Sequence, residues 1–428
     1  MKDVLGTTRG APSSGDSVRE ASCRSCGDAL RFTFVDLGMS PLCETYLLPT
    51  DLDRMEPFYP LHVWVCEGCF LVQLEEYVSP GEIFSDYPYF SSYSDSWLRH
   101  SKAYVEMIID RFSLDQRSQV VEIGSNDGYL LQYFRARDVP VLGVEPAANV
   151  AAEAISRGIP TEIAFFGVEM ARQLVATGLT ADLLLGNNVL AQVPDLNAFV
   201  EGMEIALKSR GVITMEFPHL MRLVDGNQFD TIYHEHFSYF SLVSVTRVFE
   251  AHRLAIFDVE ELPTHGGSIR IYARHAEDRT HPVTDRVREL RSREEAAGLR
   301  SIDYYRSFDE RVKETKRTLL EFFIQAKREG KSIVGYGAPG KGNTLLNYCG
   351  VRNDFIDYVV DRSPHKQGRF LPGTHIPIFH PDRIRETRPN YVMIMPWNLK
   401  AEIMEQMSFI KEWDGRFVIA IPELTVVE

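Results

Sequence analysis

Short apolar runs and stretches of helical spacing alternate along most of this chain. Residues 119–123 form an apolar run that leads into Glu122-Ile123-Gly124-Ser125-Asn126-Asp127-Gly128, and helical spacing follows over 129–137. A second apolar run, 141–145, closes on Glu145, 17 residues after Gly128. Further strand-like runs lie at 181–186 and 211–216, while 255–258 and 268–274 suit an antiparallel pair closing the sheet. Strand, glycine turn, helix, strand and acid make the first half of a doubly wound α/β sheet. From 279 to about 329 the chain is charged and helical, and its charges read as a solvated face. A strand at 331–334, a glycine-rich turn, a helix at 344–348 and a strand at 356–360 then open a second, Rossmann-like unit. The pattern predicts a polar disordered tail (1–20), a small N-terminal module (21–80), a central sheet domain (81–280) and a C-terminal α/β domain (281–428).

A length of 428 residues suits three such domains, and 44% hydrophobic with 25% charged residues is an ordinary globular balance. The formal net charge of −14 argues against a general binder of nucleic acid or membrane surfaces, which needs a basic footprint. No apolar run approaches the length of a membrane-spanning helix. The first twenty residues lack the apolar core of a secretory signal, so a cytoplasmic protein is expected.

Six cysteines sharpen the N-terminal reading. Cys23 and Cys26 form one CxxC pair, Cys66 and Cys69 a second, while Cys43 and Cys349 stand alone. In a reducing compartment, paired CxxC turns are tetrahedral zinc ligands, because two thiolates three positions apart on a tight turn point at one cation. Gly27 and Gly68 are expected to help each turn form, with strands at 32–35 and 62–65 lying between the pairs. Four thiolates leave no open position for water, so this zinc is expected to be structural. Cys43 reads as a small buried residue.

In the central domain, the spacing ExGxxxG, with Asn126 in the place of a third glycine, fits an S-adenosylmethionine site better than a dinucleotide site. Glu145, at the end of the second strand, can take both ribose hydroxyls of such a donor. The C-terminal turn Gly335-Tyr336-Gly337-Ala338-Pro339-Gly340-Lys341-Gly342-Asn343 satisfies GxGxxG, with Asp361 ending the next strand, and nearly satisfies the phosphate loop GxxxxGK. Gly342 stands where Ser or Thr would hold magnesium, so nucleotide hydrolysis is not expected. Backbone N–H groups and a lysine at a helix N-terminus remain, suited to a phosphate or pyrophosphate of either a cofactor or a substrate.

One segment, 229–240, is dense in chemistry: it holds Asp230, Tyr233, His234, Glu235, His236 and Tyr239 just after the fifth strand of the central sheet. Tyr, Glu and His within four residues can supply a proton acceptor, an orienting carboxylate and a phenol for an enolate. The zinc-protease pattern HExxH is absent. Polar loops at 186–192 and 264–268 complete the candidate surface.

These residues resemble the sugar C-methyltransferases of bacterial deoxysugar pathways. The resemblance rests on the two CxxC pairs, EIGSNDG with the preceding YFSSYSDSW, YHEH before Phe237, and GYGAPGKGN, in the family's order and covering nearly the whole chain from about Ser22. It implies S-adenosylmethionine-dependent methylation of carbon: a nucleotide-linked 4-keto-6-deoxysugar, most readily carried by dTDP, loses the proton beside its ketone. The enolate then attacks the donor methyl, at C3 in preference to C5. By resemblance His236 is the base, with Tyr233 and Glu235 placing the substrate and stabilising the enolate. Tyr93, Glu122, Gly124, Asn126, Asp127, Gly128, Glu145, Pro146 and Asn187 would hold the donor. Tyr87, Asn188, Gln192, His265, Tyr336, Gly340, Lys341 and Asn343 would contact the nucleotide sugar, the last three at its phosphates. Gln192 stands where the family more often carries His, and no base role is assigned to it. A monomer is expected, with neither nucleic acid nor membrane as partner. Three rival readings remain: a methyltransferase acting on oxygen or nitrogen, a zinc-ribbon protein acting on RNA, and a nicotinamide oxidoreductase.

Overall fold

The computed structural model describes residues 21–84 and 90–427; the expected tail at 1–20 and Tyr87 lie outside the described residues. The central sheet has seven strands in the spatial order Leu254–Leu262, Ser268–His275, Leu207–Pro218, Ala181–Asn187, Val120–Ile123, Val141–Val144 and Thr161–Glu162. Its inner parallel strands, Val120–Ile123, Val141–Val144 and Ala181–Asn187, are largely buried, as strands sandwiched between helix layers must be. The antiparallel closure is present: Ser268–His275 runs antiparallel to both neighbours, inserted between Leu254–Leu262 and Leu207–Pro218. The helix after the glycine turn is shorter than its spacing predicts, Leu131–Arg135, because turn geometry persists through Leu130 and Asp138 takes a left-handed φ of 56°.

The N-terminal sheet joins Phe32–Ser40, Tyr59–Val65 and Val72–Leu74, and its fourth strand comes from far along the chain: Ser238–Tyr239, immediately after YHEH, pairs with Val72–Leu74. This module shares its core with the C-terminal domain. Phe34 stacks on Phe308 of the Ile302–Arg328 helix with ring centroids 4.6 Å apart, and Val63 and Val65 belong to the same buried cluster as Leu319, Phe323 and Leu345. On its other side Asn197 donates to the Arg24 and Ser25 carbonyls and Arg24 donates to that of Pro194.

The charged stretch after 279 is not wholly a solvated face. Glu294, in the Asp285–Ala297 helix, is fully buried and accepts hydrogen bonds from the Leu242 and Val243 N–H groups (2.7 and 2.8 Å) and from His219 Nε2 at 2.6 Å. It thereby caps the Leu242–Ala251 helix of the central domain, where a carboxylate is favoured by unpaired N–H groups and the helix dipole.

The C-terminal sheet runs Ile378–Phe379, Val359–Val360, Ile333–Tyr336, Tyr391–Ile394, Arg416–Ile419, Thr425–Val427, parallel except for the last strand. The helix after its glycine loop starts at Gly340, four residues before the expected 344, so Lys341 and Asn343 lie in the first turn. The expected strand over 356–360 contracts to Val359–Val360.

Candidate active site

The four expected thiolates converge. The Sγ atoms of Cys23, Cys26, Cys66 and Cys69 all lie within 4.8 Å of one another, as ligands of one tetrahedral zinc ion must. Gln73 Nε2 donates to Cys23 Sγ at 3.1 Å, the kind of outer contact that orients a ligand. The two turns differ from expectation in one detail. Gly27 takes the left-handed φ (81°) in the first, but in the second that position belongs to Phe70 (φ 61°), and Gly68 serves a close approach to Asp28 instead.

The glycine turn expected to hold the donor takes the backbone form that its spacing predicts. Gly124 has φ 67°, and an added Cβ there would press to 3.2 Å on Val189, the residue after Asn188. The Glu145 carboxylate is buried and accepts from the N–H groups of Asn126 and Ala147, both at 2.9 Å, across the turn through Pro146. Burial raises its pKa and those two hydrogen bonds oppose the rise. Glu122 is fully buried beneath the turn and burial drives its carboxyl well above the usual range. Gly128 serves packing, since a Cβ there would meet Ile159 at 2.9 Å. Asn126 and Asp127 accept from the backbone N–H groups of Ser91 and Ser92, which holds the turn carrying Tyr93 over the loop. Tyr93 is 71% exposed, its ring centroid 6.5 Å from that of His365. At the end of the adjacent strand, Asn187 Nδ2 and Asn188 Oδ1 are buried without a partner, donor and acceptor atoms of the kind a bound S-adenosylmethionine would use.

Asn188 leads to the chemistry segment. Its Nδ2 lies 3.0 Å from His265 Nε2, and His265 sits in a left-handed turn (φ 53°) that Thr264 anchors by donating to Glu216. Glu216 is itself fixed by Arg270 (2.6 Å) and His100 (2.9 Å), and its pKa is held at about 2 against the burial that would raise it. His236 Nδ1 lies 3.0 Å from the Thr231 carbonyl, an acceptor only, so Nδ1 carries the proton and Nε2 the lone pair. The His236 ring lies 4.1 Å from that of Tyr233. Burial pushes both His236 and His265 down to about 4, making each a neutral imidazole at neutral pH, and it raises the Tyr233 phenol well above its usual value. His234 packs against the zinc module, its Nε2 meeting the Pro60 carbonyl. Gln192 is brought beside this segment by the hydrogen bond from the Phe237 N–H to the Ala191 carbonyl.

The C-terminal loop departs from expectation. Glu44 of the zinc module occupies the N-terminus of the Gly340–Cys349 helix, accepting from the Gly340 N–H at 3.0 Å, and Asn343 donates to the Cys43 carbonyl at 2.5 Å. Tyr336 shares its strand face with Val334, as residues two apart must, and is buried with it among Tyr358, Ile394 and Ile403. Lys341 is half-buried, donating to Asn398 Oδ1 at 2.7 Å and lying 4.7 Å above the Trp397 ring. Asp361, the acid of the dinucleotide pattern, accepts from the Ala338 and Ser363 N–H groups. None of Tyr336, Gly340, Lys341 and Asn343 lines the cleft formed with the zinc module, and neither do Tyr233, His236, Asn188, Gln192 and His265.

That cleft, of about 470 Å³, lies where the three units meet. Glu235 and His234 line it with Cys43 and Glu44 of the zinc module, Asn149 beyond the donor turn, and Ser363, His365, Lys366 and Arg369 of the C-terminal domain. The last four were not singled out from sequence; no local motif marks them, only basic residues in a loop after a short strand.

A glycine turn and terminal acid on a seven-stranded sheet, joined to a four-thiolate zinc module and a Rossmann-like unit, define an S-adenosylmethionine-dependent methyltransferase with a structural zinc. Family models match the chain in three consecutive stretches: a zinc binding domain over 23–84, a methyltransferase domain over 97–258 and a C-methyltransferase C-terminal domain over 263–422. The chain is 36% identical over 405 residues to C-methyltransferase NovU of Streptomyces niveus, an alignment covering 95% of this chain and 96% of that protein, and it therefore belongs to this C-methyltransferase family. Solved structures aligning with part of it include an S-adenosylmethionine-dependent methyltransferase from Mesorhizobium loti (14% identity, 37% of this chain and 91% of that one, TM-score 0.31). Another is the magnesium protoporphyrin IX methyltransferase of Synechocystis with bound S-adenosylmethionine (13% identity, 45% and 88%, TM-score 0.31). Among the described residues no helix is long and apolar enough to cross a membrane.

Proposed function

We propose that the enzyme methylates the carbon beside the ketone of a nucleotide-linked 4-keto-6-deoxysugar, dTDP-linked and at C3 in preference to C5, through an enolate. The observation that carries this reading is the setting of His236. Its Nδ1 is committed to the Thr231 carbonyl, its Nε2 is left basic, and burial keeps the ring neutral. Transfer to oxygen or nitrogen has less need of a base so placed.

Bound S-adenosylmethionine supplies an electrophilic methyl group. Glu145 and the Gly124–Gly128 turn would hold it, with Asn187 and Asn188 toward the reacting end. The sugar's carbon acid is activated by its ketone, which delocalises the carbanion; His236 Nε2 takes the proton. Tyr233, kept a neutral phenol, donates toward the sugar, and Glu235 on the cleft wall orients it. Ser363, His365, Lys366 and Arg369 are the basic and polar groups open to the nucleotide's phosphates, in place of the helix N-terminus that Glu44 already caps.

The test is mass spectrometry of the enzyme incubated with S-adenosylmethionine and dTDP-4-keto-6-deoxyglucose, including 2-deoxy and 3-amino forms. A product heavier by one methylene, with fragmentation placing it on carbon, is the expected result. Methyl on oxygen or nitrogen would overturn the enolate mechanism.

A further inference from the structure

Enolate formation places negative charge on the ketone oxygen, and the side chains assigned to the reacting end of the sugar, unlike Lys366 and Arg369 at the phosphates, supply no cation. His236 and His265 are neutral imidazoles, Tyr233 is a neutral phenol, and Glu235 is a carboxyl group. The lysine expected at the phosphates has a different setting. Lys341 stands on the Trp397 ring and is held by Asn398. Trp397 in turn donates through Nε1 to Asp230 Oδ2 at 2.7 Å, and Asp230 adjoins Thr231, whose carbonyl fixes His236. The same indole packs under the His265 turn, where a Cβ on Gly266 would come within 2.4 Å of Cη2. The helix carrying Lys341 is pinned to this segment by Thr344, which donates to the Ile232 carbonyl at 3.0 Å. Trp397 thus gathers Lys341, Asp230, the His236 anchor and the His265 turn into one cluster, away from the cleft lined by Lys366 and Arg369.

We propose that Lys341 is a catalytic residue whose ammonium group faces the ketone oxygen and stabilises the enolate, and is not a phosphate ligand. This rests on the enolate reading given above. As the C–H bond breaks, its proton passes to His236 Nε2 and its electron pair to the ketone oxygen beside Lys341. The pair then returns to form the new C–C bond as the carbonyl re-forms and the donor's C–S bond breaks, leaving a thioether, and His236 releases its proton to solvent. A preorganised charge in a dry site, aimed at developing negative charge, is typically worth about 10²–10³ in rate. Burial lowers the Lys341 pKa and Asp230 opposes that fall, while the Lys341 charge in turn lowers the pKa values of His236, His265 and Asp230.

The experiment compares wild type with Lys341→Met and Lys341→Arg. Deuterium uptake from D₂O beside the ketone of dTDP-4-keto-6-deoxyglucose is followed by NMR with S-adenosylhomocysteine present, so that enolisation is read without methyl transfer. Affinity for dTDP is measured by calorimetry. Lys341→Met should lower exchange and kcat about 100-fold or more, while its Kd for dTDP stays within about threefold. Lys341→Arg, which keeps a cation and decides the question if the Met variant fails to bind S-adenosylhomocysteine, should lose about tenfold in exchange with dTDP binding again unchanged. Wild-type exchange in the variants, or a Kd for dTDP raised tenfold with exchange retained, overturns the proposal and returns Lys341 to the phosphates. Absence of exchange in the wild-type enzyme would instead sink the enolate reading beneath it.

Discussion

The ionisation of His236 yields a quantitative expectation. An exposed imidazole titrates near 6.5; burial of His236, reinforced by Lys341 and His265 and opposed only by its hydrogen bond to Thr231, brings it down to about 4. Since kcat/KM reports groups of the free enzyme, the fraction of neutral base at pH 5.5 should be about 97%, against about 9% for an unperturbed histidine, a tenfold difference in rate. The assay is initial-rate transfer of labelled methyl at subsaturating sugar, with each pH point checked by preincubation and return to pH 7.5 so that unfolding is not mistaken for titration. Asp230 is the competing titration, because burial lifts it to about 6. Asp230→Asn should therefore leave the low-pH limb of His236 in place. In parallel, His236→Asn should lose about 10²–10⁴ in kcat while retaining S-adenosylmethionine binding. An acid limb centred between pH 6 and 7 that persists in Asp230→Asn, or wild-type turnover by His236→Asn, refutes the reasoning.

Other outcomes follow from the same contacts. Glu145→Ala removes the acceptor of two buried N–H groups as well as the expected ribose contact, so Kd for S-adenosylmethionine should rise about 100-fold by calorimetry; a change below threefold would place the ribose elsewhere. Glu294→Ala strands two helix N–H groups and the His219 imidazole in the interior, at a cost of about 4 kcal/mol and a fall in Tm of about 10 °C by scanning calorimetry; a fall under about 2 °C would contradict it. Stripping zinc with a strong chelator should abolish methyl transfer before S-adenosylmethionine binding is lost, because the zinc module's sheet includes the strand that directly follows His236 and Phe237. Because His236 and His265 titrate lower folded than unfolded, the unfolded chain binds more protons between about pH 4 and 6.5. Tm should therefore fall as pH drops through that window, and His265→Asn should flatten the fall.

Local pattern alone marked out the four clustered cysteines, the glycine turn with Glu145 ending the next strand, both doubly wound units and the YHEH segment. Each is written within a few residues: CxxC spacing, a glycine that must take positive φ, an acid ending a strand. Period-2 and period-3.6 patterning likewise supplied most strands and the long helices. What tertiary structure decided lies between segments far apart in the chain. Ser238–Tyr239 completes the zinc module's sheet, and Glu44 closes the helix N-terminus that a phosphate was expected to fill. Tyr336 packs into an apolar cluster with Tyr358 and Ile394 and does not line the cleft, while a charged helix hides Glu294 to cap a helix in another domain. Lys341 turns away from the cleft toward Trp397 and Asn398. A motif states which groups a turn can offer. Whether a ligand meets them depends on which other surface docks there first, and that is set by the burial of shared apolar faces hundreds of residues apart.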